Sequence, residues 1–373
     1  MKVRVNETVQ ALGRRAPLNM DFDTMRAELE NQEGIFWAED GFFLRLRYEH
    51  AEKLELEVVD GRRYEFECCE DGYWQLALTD IKDFCYVKVL LDDNWVLSPY
   101  IPIGYGDNHP MNYLDVSWPC ENPDPAVRRG AVCQEKYVSR CSGTVKNCYV
   151  YTPPGYAETK EDYPILYLQH GYGENELGWL YQGRLAEIAD SLIRNGKMEP
   201  MLIVMADGMM RQKEENGDII HKPEMFADEL LGDIMPLVER HYRVKEGGDF
   251  HALAGLSMGS LQTSMVVFTH PGLFGWAGLF SGFMGNIFDG NNAHLEDLQQ
   301  KTEQFNRDTR LFFRAMGKND PFWESFRKDD VLCEKYGIQC LRKEYEGAHT
   351  WNVWRKCIVD FLERLFRQQY DKD

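Results

Sequence analysis

Residues 251–270 read HALAGLSMGSLQTSMVVFTH, and how this stretch is read decides the fold. From Ala252 to Leu256 it runs apolar without alternation, the mark of a strand covered on both faces in a parallel sheet. A helix follows, and the junction Gly255-Leu256-Ser257-Met258-Gly259 sets a serine between two glycines. A sharp strand-to-helix turn holds such a serine in a strained backbone conformation and lifts its hydroxyl into the open; a side chain two residues to either side would collide with the neighbouring chain. Alone, the pattern is weak: with glycine and serine each near 7%, it arises by chance in about one chain of this length in eight. A serine hydroxyl is also a poor nucleophile by itself. Its meaning rests on what the rest of the chain supplies.

Outward from this junction, buried apolar runs alternate with amphipathic helices. YPILYLQHG (163–171) precedes a helix carrying Leu185, Ile188, Ala189, Leu192 and Ile193 at helical spacing. PMLIVMADG precedes FADELLGDIMPLVERHY, GWAGLFSG precedes a helix over 293–307, and RLFFRAMGKND precedes ESFRKDDVLCEKYG. The final strand, near QCLRKEYEG, leads into a helix whose apolar face runs from Val353 to Phe366. Strand and helix in alternation predict a doubly wound, mostly parallel α/β domain over residues 131–373.

Residues 30–116 differ. Short period-two runs such as KLELEVVDG, YWQLALTD and FCYVKVLLDD, separated by Asp-Gly and similar turns, predict a small all-β sandwich. Trp74 and Trp95 are its candidate carbohydrate platforms, although one aromatic per strand is also what a sandwich core requires. Residues 1–29 read as an N-terminal extension and 117–130, rich in proline and charge, as a linker. Two domains suit 373 residues, since single cores rarely grow past about 250–300.

A net charge of −19 opposes partners bound through Lys and Arg, so neither nucleic acid nor an anionic membrane surface is expected. No stretch approaches a membrane span and the first residues hold no signal-peptide core, which predicts a cytoplasmic protein. The ten cysteines are scattered, without CxxC spacing, and read as reduced thiols. No metal and no cofactor is expected.

In an open parallel sheet, reactive groups collect beyond the carboxyl ends of the strands. Besides Ser257, two residues stand there: Asp320, closing RLFFRAMGKND, and His349, in EYEGAHTW. His349 is the expected base for Ser257 and Asp320 the acid that orients it. Asp289, in FDGNN, is a rival acid but reads as an Asp-Gly turn. The oxyanion donors expected are the backbone N–H of Met258 and, from HGYGENELGW, that of Tyr172 or next Gly173. His170 in that loop reads as a structural hydrogen-bonding residue. Trp179, Met209, Phe322, Trp323 and Trp351 lie in or near the loops around the site and are the candidate substrate contacts. The long polar loop 207–226 is a candidate lid.

Together VYTPPGY, YPILYLQHGYGENELGW, GLSMGS and EGAHTWNVW resemble the esterase D-like α/β-hydrolases, most closely the feruloyl and acetyl-xylan esterases of carbohydrate esterase family one. The resemblance covers nearly all of 130–373 and implies the triad Ser257, Asp320 and His349. It departs from the family at Ser260, where a glycine is usual, and at Ala348-His349-Thr350-Trp351. The first domain is similar, more loosely, to the immunoglobulin-like early-set sandwich that precedes such esterases. The resemblance implies a serine carboxylesterase acting on small-molecule or oligosaccharide esters of hydroxycinnamic acids, with a homodimer as the only protein partner considered. The alternatives are a catecholate siderophore esterase of the enterochelin type and an acetyl-xylan-type deacetylase. A binding protein on a hydrolase scaffold is the non-enzymatic alternative.

Overall fold

The computed structural model describes residues 22–28, 32–37, 41–115, 127–213, 216–288 and 290–367. The expected extension up to residue 21, the linker up to residue 126 and Asp289 lie outside the described residues. The chain divides into two units, Met1–Val127 and Arg128–Asp373.

Among the described residues, the first unit is all-β apart from one short helix and a single 3₁₀ turn. Gly34–Trp37, Phe42–Arg47, Tyr73–Leu78 and Glu67–Cys68 form one sheet. Arg63–Glu65, Leu54–Val58, Cys85–Leu91, His109–Leu114 and Ile103–Gly106 form the other, with Asn94–Val96 paired on Cys85–Leu91. Alternation along the strands places Leu44, Leu46, Leu54, Leu56, Val87 and Val89 in one shared core, each worth about 1.5–3 kcal/mol of burial. Trp74 belongs to that core, its indole N–H donating to the Tyr48 carbonyl, so it offers no platform. Trp95 is 42% exposed, with His109 at its edge and the Lys88 ammonium over its ring. The helix Phe22–Glu28, within the stretch read as an extension, packs Met25 against Phe36 and Phe43. That second cluster explains why Phe42–Arg47 is buried at five consecutive positions instead of alternating.

The second unit holds an eight-stranded sheet. Numbered along this unit, its strands lie in the spatial order 1-2-4-3-5-6-7-8. Ala131–Val138 and Val145–Thr152 form an antiparallel hairpin at one edge; Leu202–Ala206, Ile165–Gln169, His251–Leu256, Trp276–Phe280, Leu311–Gly317 and Leu341–Tyr345 follow in parallel. Ile165–Gln169 is thus the third strand of the unit in chain order. The edge strand Ala131–Val138 is mostly exposed and carries no apolar run, which is why periodicity overlooked it. The loop 207–226 contains a small hairpin, Arg211–Lys213 with Ile219–His221. The helix 226–241 contains a π turn at Leu230–Ile234.

Register aligns the reactive ends. Gln169 pairs with Gly255 and Leu256 with Phe280, so the loop after Ile165–Gln169 leaves the sheet beside Ser257. Gly317 pairs with Tyr345, which puts the loops bearing Asp320 and His349 side by side.

Candidate active site

Ser257 adopts φ 50° and ψ −115° immediately before the helix Met258–Thr269. For a residue with a Cβ this costs on the order of 1–3 kcal/mol and persists only where neighbours impose it. Those neighbours are visible: the Ser257 N–H donates to the Phe280 carbonyl at 2.9 Å, and the Ser260 hydroxyl donates to the Ser257 carbonyl at 2.6 Å while accepting the Phe283 N–H at 3.2 Å. A Cβ on Gly255 would stand 2.5 Å from the Gly259 backbone, and one on Gly259 would stand 2.6 Å from the His170 carbonyl oxygen. Both glycines are therefore steric necessities of the turn. Ser260, which the sequence showed only as a departure from the family, ties the elbow to the loop after Trp276–Phe280.

The His349 Nδ1 lies 2.8 Å from Asp320 Oδ2, and the Asp320 side chain is fully buried. The other carboxylate oxygen accepts the Phe322 N–H at 2.9 Å, which fixes the plane of the carboxylate. The imidazole is held between the rings of Phe322 and Trp354, each centred 5.1 Å away. Phe322 in turn packs against Leu261 of the elbow helix, Met265 and Phe283. This apolar wall connects the histidine loop to the elbow.

The loop after Ile165–Gln169 runs against the elbow: a Cβ built on Gly171 would sit 3.5 Å from the Cβ of Ser257. Met258 is the first residue of its helix, so its N–H has no intrahelical acceptor. The Gly173 N–H is engaged by Met209 Sδ at 3.5 Å, and among the described residues no acceptor meets the Tyr172 N–H. Of the donors expected from this loop, Tyr172 is the one left open. His170 is buried; its Nε2 accepts the Gly208 N–H at 2.9 Å, which leaves the proton on Nδ1 to bond the Gly171 carbonyl at 2.8 Å. It is a structural residue that ties the loop to residues 207–210.

The expected substrate contacts divide. Trp179 is 1% exposed, donates its indole N–H to the Gln169 carbonyl, and packs edge-on against Phe280 and Trp351. Trp351 is equally buried and packs on Trp354. Both are core residues, since a loop aromatic and a core aromatic look alike in sequence. Met209 is buried with its sulfur on Gly173, and Trp323 lies on its helix against Phe326 and under Arg342. Phe322 alone of the five touches the imidazole. Exposed aromatic surface lies elsewhere: Tyr172 and Phe288 are 52% and 42% exposed, and their rings meet each other and His221 with centroids 5.4–5.9 Å apart. The three rings come from three separate loops. Burial holds the His221 imidazole below its ordinary pKa, so it meets its neighbours as a neutral ring at pH 7.

A sheet in this order, with a strained serine between a parallel strand and a helix and an Asp–His pair two loops away, defines an α/β-hydrolase. Residues 141–365 match the family described as "Putative esterase", and the chain belongs to this Esterase family. An endo-1,4-beta-xylanase/feruloyl esterase of Xylanibacter ruminicola is 30% identical over 246 residues, covering 65% of this chain and 32% of that protein. The chain thus spans about a third of that relative's length. A CE1 ferulic acid esterase of Anaeromyces mucronatus, solved in complex with ferulic acid, superposes with a TM-score of 0.57 at 23% identity, over 66% of this chain and 94% of that one. The enterobactin esterase of Shigella flexneri superposes with a TM-score of 0.63 at 13% identity, over 91% of this chain and 98% of that one. At these identities the two structural likenesses speak for the fold.

Proposed function

We propose that the chain is a serine carboxylesterase that hydrolyses esters of hydroxycinnamic acids with sugars or polyols. The observation that carries the reading is the elbow at Ser257, strained and open beside two unengaged backbone N–H groups, with the Asp320–His349 pair on the loops after Leu311–Gly317 and Leu341–Tyr345 at the same edge of the sheet. In this mechanism Ser257 Oγ attacks the ester carbonyl as His349 Nε2 takes its proton. The Met258 and Tyr172 N–H groups receive the developing oxyanion. Asp320 holds the proton on Nδ1 and stabilises the imidazolium. Collapse expels the alcohol, which leaves with the proton from Nε2, and water then resolves the acyl-enzyme by the same steps in reverse roles. The rings of Tyr172, His221 and Phe288 form an aromatic rim beside the oxyanion loop, suited to an aryl acid. The named activity of the Xylanibacter ruminicola relative supports the same substrate class.

A catecholate trilactone is the second reading, favoured by one observation: the enterobactin esterase likeness spans 91% of the chain. The test is the initial rate of the protein and of Ser257→Ala on methyl ferulate, p-nitrophenyl acetate and a catecholate trilactone. Ferulate release abolished by the substitution supports the proposal. Turnover of acetate or trilactone without ferulate moves the substrate, and ferulate release untouched by Ser257→Ala refutes the mechanism.

A further inference from the structure

Away from Ser257, the helix Trp323–Tyr336 ends at Gly337, whose left-handed backbone (φ 66°) turns the chain back so that the Ile338 N–H donates to the Cys333 carbonyl at 2.8 Å. This reversal brings Cys340, at the foot of the strand Leu341–Tyr345, to the same place as Cys333. Both sulfurs face Arg314 of the neighbouring strand Leu311–Gly317, only 1% exposed. Its Nη1 lies 3.5 Å from Cys333 Sγ and 4.0 Å from Cys340 Sγ, and 2.9 Å from Asp330 Oδ1. Cys333 is buried with its sulfur 3.7 Å from the Met284 thioether, whereas Cys340 is half-buried.

We propose that Cys333 and Cys340 are a redox modification site, a thiol pair that a hydroperoxide converts into an intrachain disulfide. A buried guanidinium facing two thiols stabilises a thiolate. Pairing with Cys333 and the charge of Arg314 hold the Cys340 thiol below its ordinary range against the effect of burial, while the same pairing and burial push Cys333 up. The roles are thereby divided. Cys340 thiolate attacks one oxygen of the peroxide; the O–O bond breaks, the other oxygen departs as water or alcohol after taking a proton, and Cys340 becomes a sulfenic acid. The Cys333 sulfur then attacks the Cys340 sulfur, the S–O bond breaks, and hydroxide leaves with the Cys333 proton as water. Two thiols give up two electrons and one peroxide accepts them. Metal binding suits the site less well: the guanidinium already stands where a cation would, and among the described residues no three His, Cys, Asp or Glu side chains converge.

The pair spans the helix that begins just after Asp320 and the strand that ends just before His349, but its chemistry is independent of Ser257. The test is hydrogen peroxide treatment of the full chain and of Ser257→Ala, followed by peptide mapping, with iodoacetamide labelling across pH in parallel. The expected result is a Cys333–Cys340 disulfide in both proteins and a labelling midpoint for Cys340 below the roughly 8.5 of an ordinary thiol. In Cys333→Ser, dimedone should trap a sulfenic acid on Cys340. Arg314→Gln should raise the labelling midpoint; should that variant fail to fold, the wild-type pH profile and Cys333→Ser carry the test. A Cys340 midpoint at or above 8.5, or peroxide oxidation that falls on other cysteines while this pair stays reduced, overturns the proposal.

Discussion

Replacing Asp320 by Asn keeps shape and removes charge, and the surroundings dictate what the amide must do. The Phe322 N–H points at Asp320 Oδ1 from 2.9 Å, so the Asn oxygen must stay there; the opposite orientation would set donor against donor in a fully buried place. The Asn NH₂ then faces His349 Nδ1 at the 2.8 Å now occupied by the carboxylate oxygen. An NH₂ can only donate, so Nδ1 must accept and the ring proton moves to Nε2. That is the atom required to take the proton of Ser257. A wrong tautomer of this kind costs on the order of 10⁴ in kcat, about 5.4 kcal/mol of transition-state stabilisation. KM should change little, because a fully buried side chain does not reach substrate. The assay is kcat and KM on methyl ferulate and p-nitrophenyl acetate, with a thermal melt to show that the fold survives. A folded Asp320→Asn protein retaining more than a tenth of wild-type kcat would mean that Asp320 does not govern the imidazole.

Other outcomes are expected from particular contacts. Phe288→Ala removes one ring of the rim and should raise KM for methyl ferulate about 5- to 10-fold, the equivalent of an aromatic contact of roughly 1–1.4 kcal/mol; p-nitrophenyl acetate turnover should stay within about twofold, and equal losses on both esters would count against an aryl role. Lys146→Met strands the Glu229 carboxylate, which is 0% exposed and bonded by Tyr137, Ser139 and Lys146. Urea unfolding should show a loss of about 3–5 kcal/mol, largely recovered by adding Glu229→Gln, and a loss below about 1 kcal/mol would contradict this. Burial lifts the Asp329 carboxyl from 3.8 to about 6. A group raised on folding binds its proton more tightly in the native state, so its contribution is complete below pH 3.8 and is lost as pH rises through 6. Asp329→Asn should therefore stabilise the protein at pH 7.5 relative to pH 4.5, by up to about 2 kcal/mol. An unchanged pH dependence of the melting temperature would show that Asp329 titrates normally.

Much of the site was legible because its chemistry is local in sequence. A nucleophile elbow demands small residues at fixed offsets, and the Gly255 and Gly259 contacts show why no other residue fits. His349 and Asp320 were found from the rule that strand ends carry function. What the sequence misplaced depends on partners that lie far away along the chain. Trp179 and Trp351 sit in loop-like text yet bury each other, and the rim assembles Tyr172, His221 and Phe288 from loops whose separation in sequence hides their meeting. The exposed edge strand Ala131–Val138 gave no buried run to detect. That the Gly173 N–H meets the sulfur of Met209 was likewise invisible in the sequence.

By itself the sequence determined the alternation of strand and helix, the division into a β-rich and an α/β part, and the choice of Ser257, Asp320 and His349 as candidates, because each rests on periodicity, on backbone sterics within a few residues or on position at a strand end. Tertiary structure alone decided which aromatics face solvent, which backbone N–H groups remain open, and that Cys333 and Cys340 share one guanidinium. Those properties belong to packing: burial and hydrogen-bond satisfaction are set by whichever side chains the sheet register brings together.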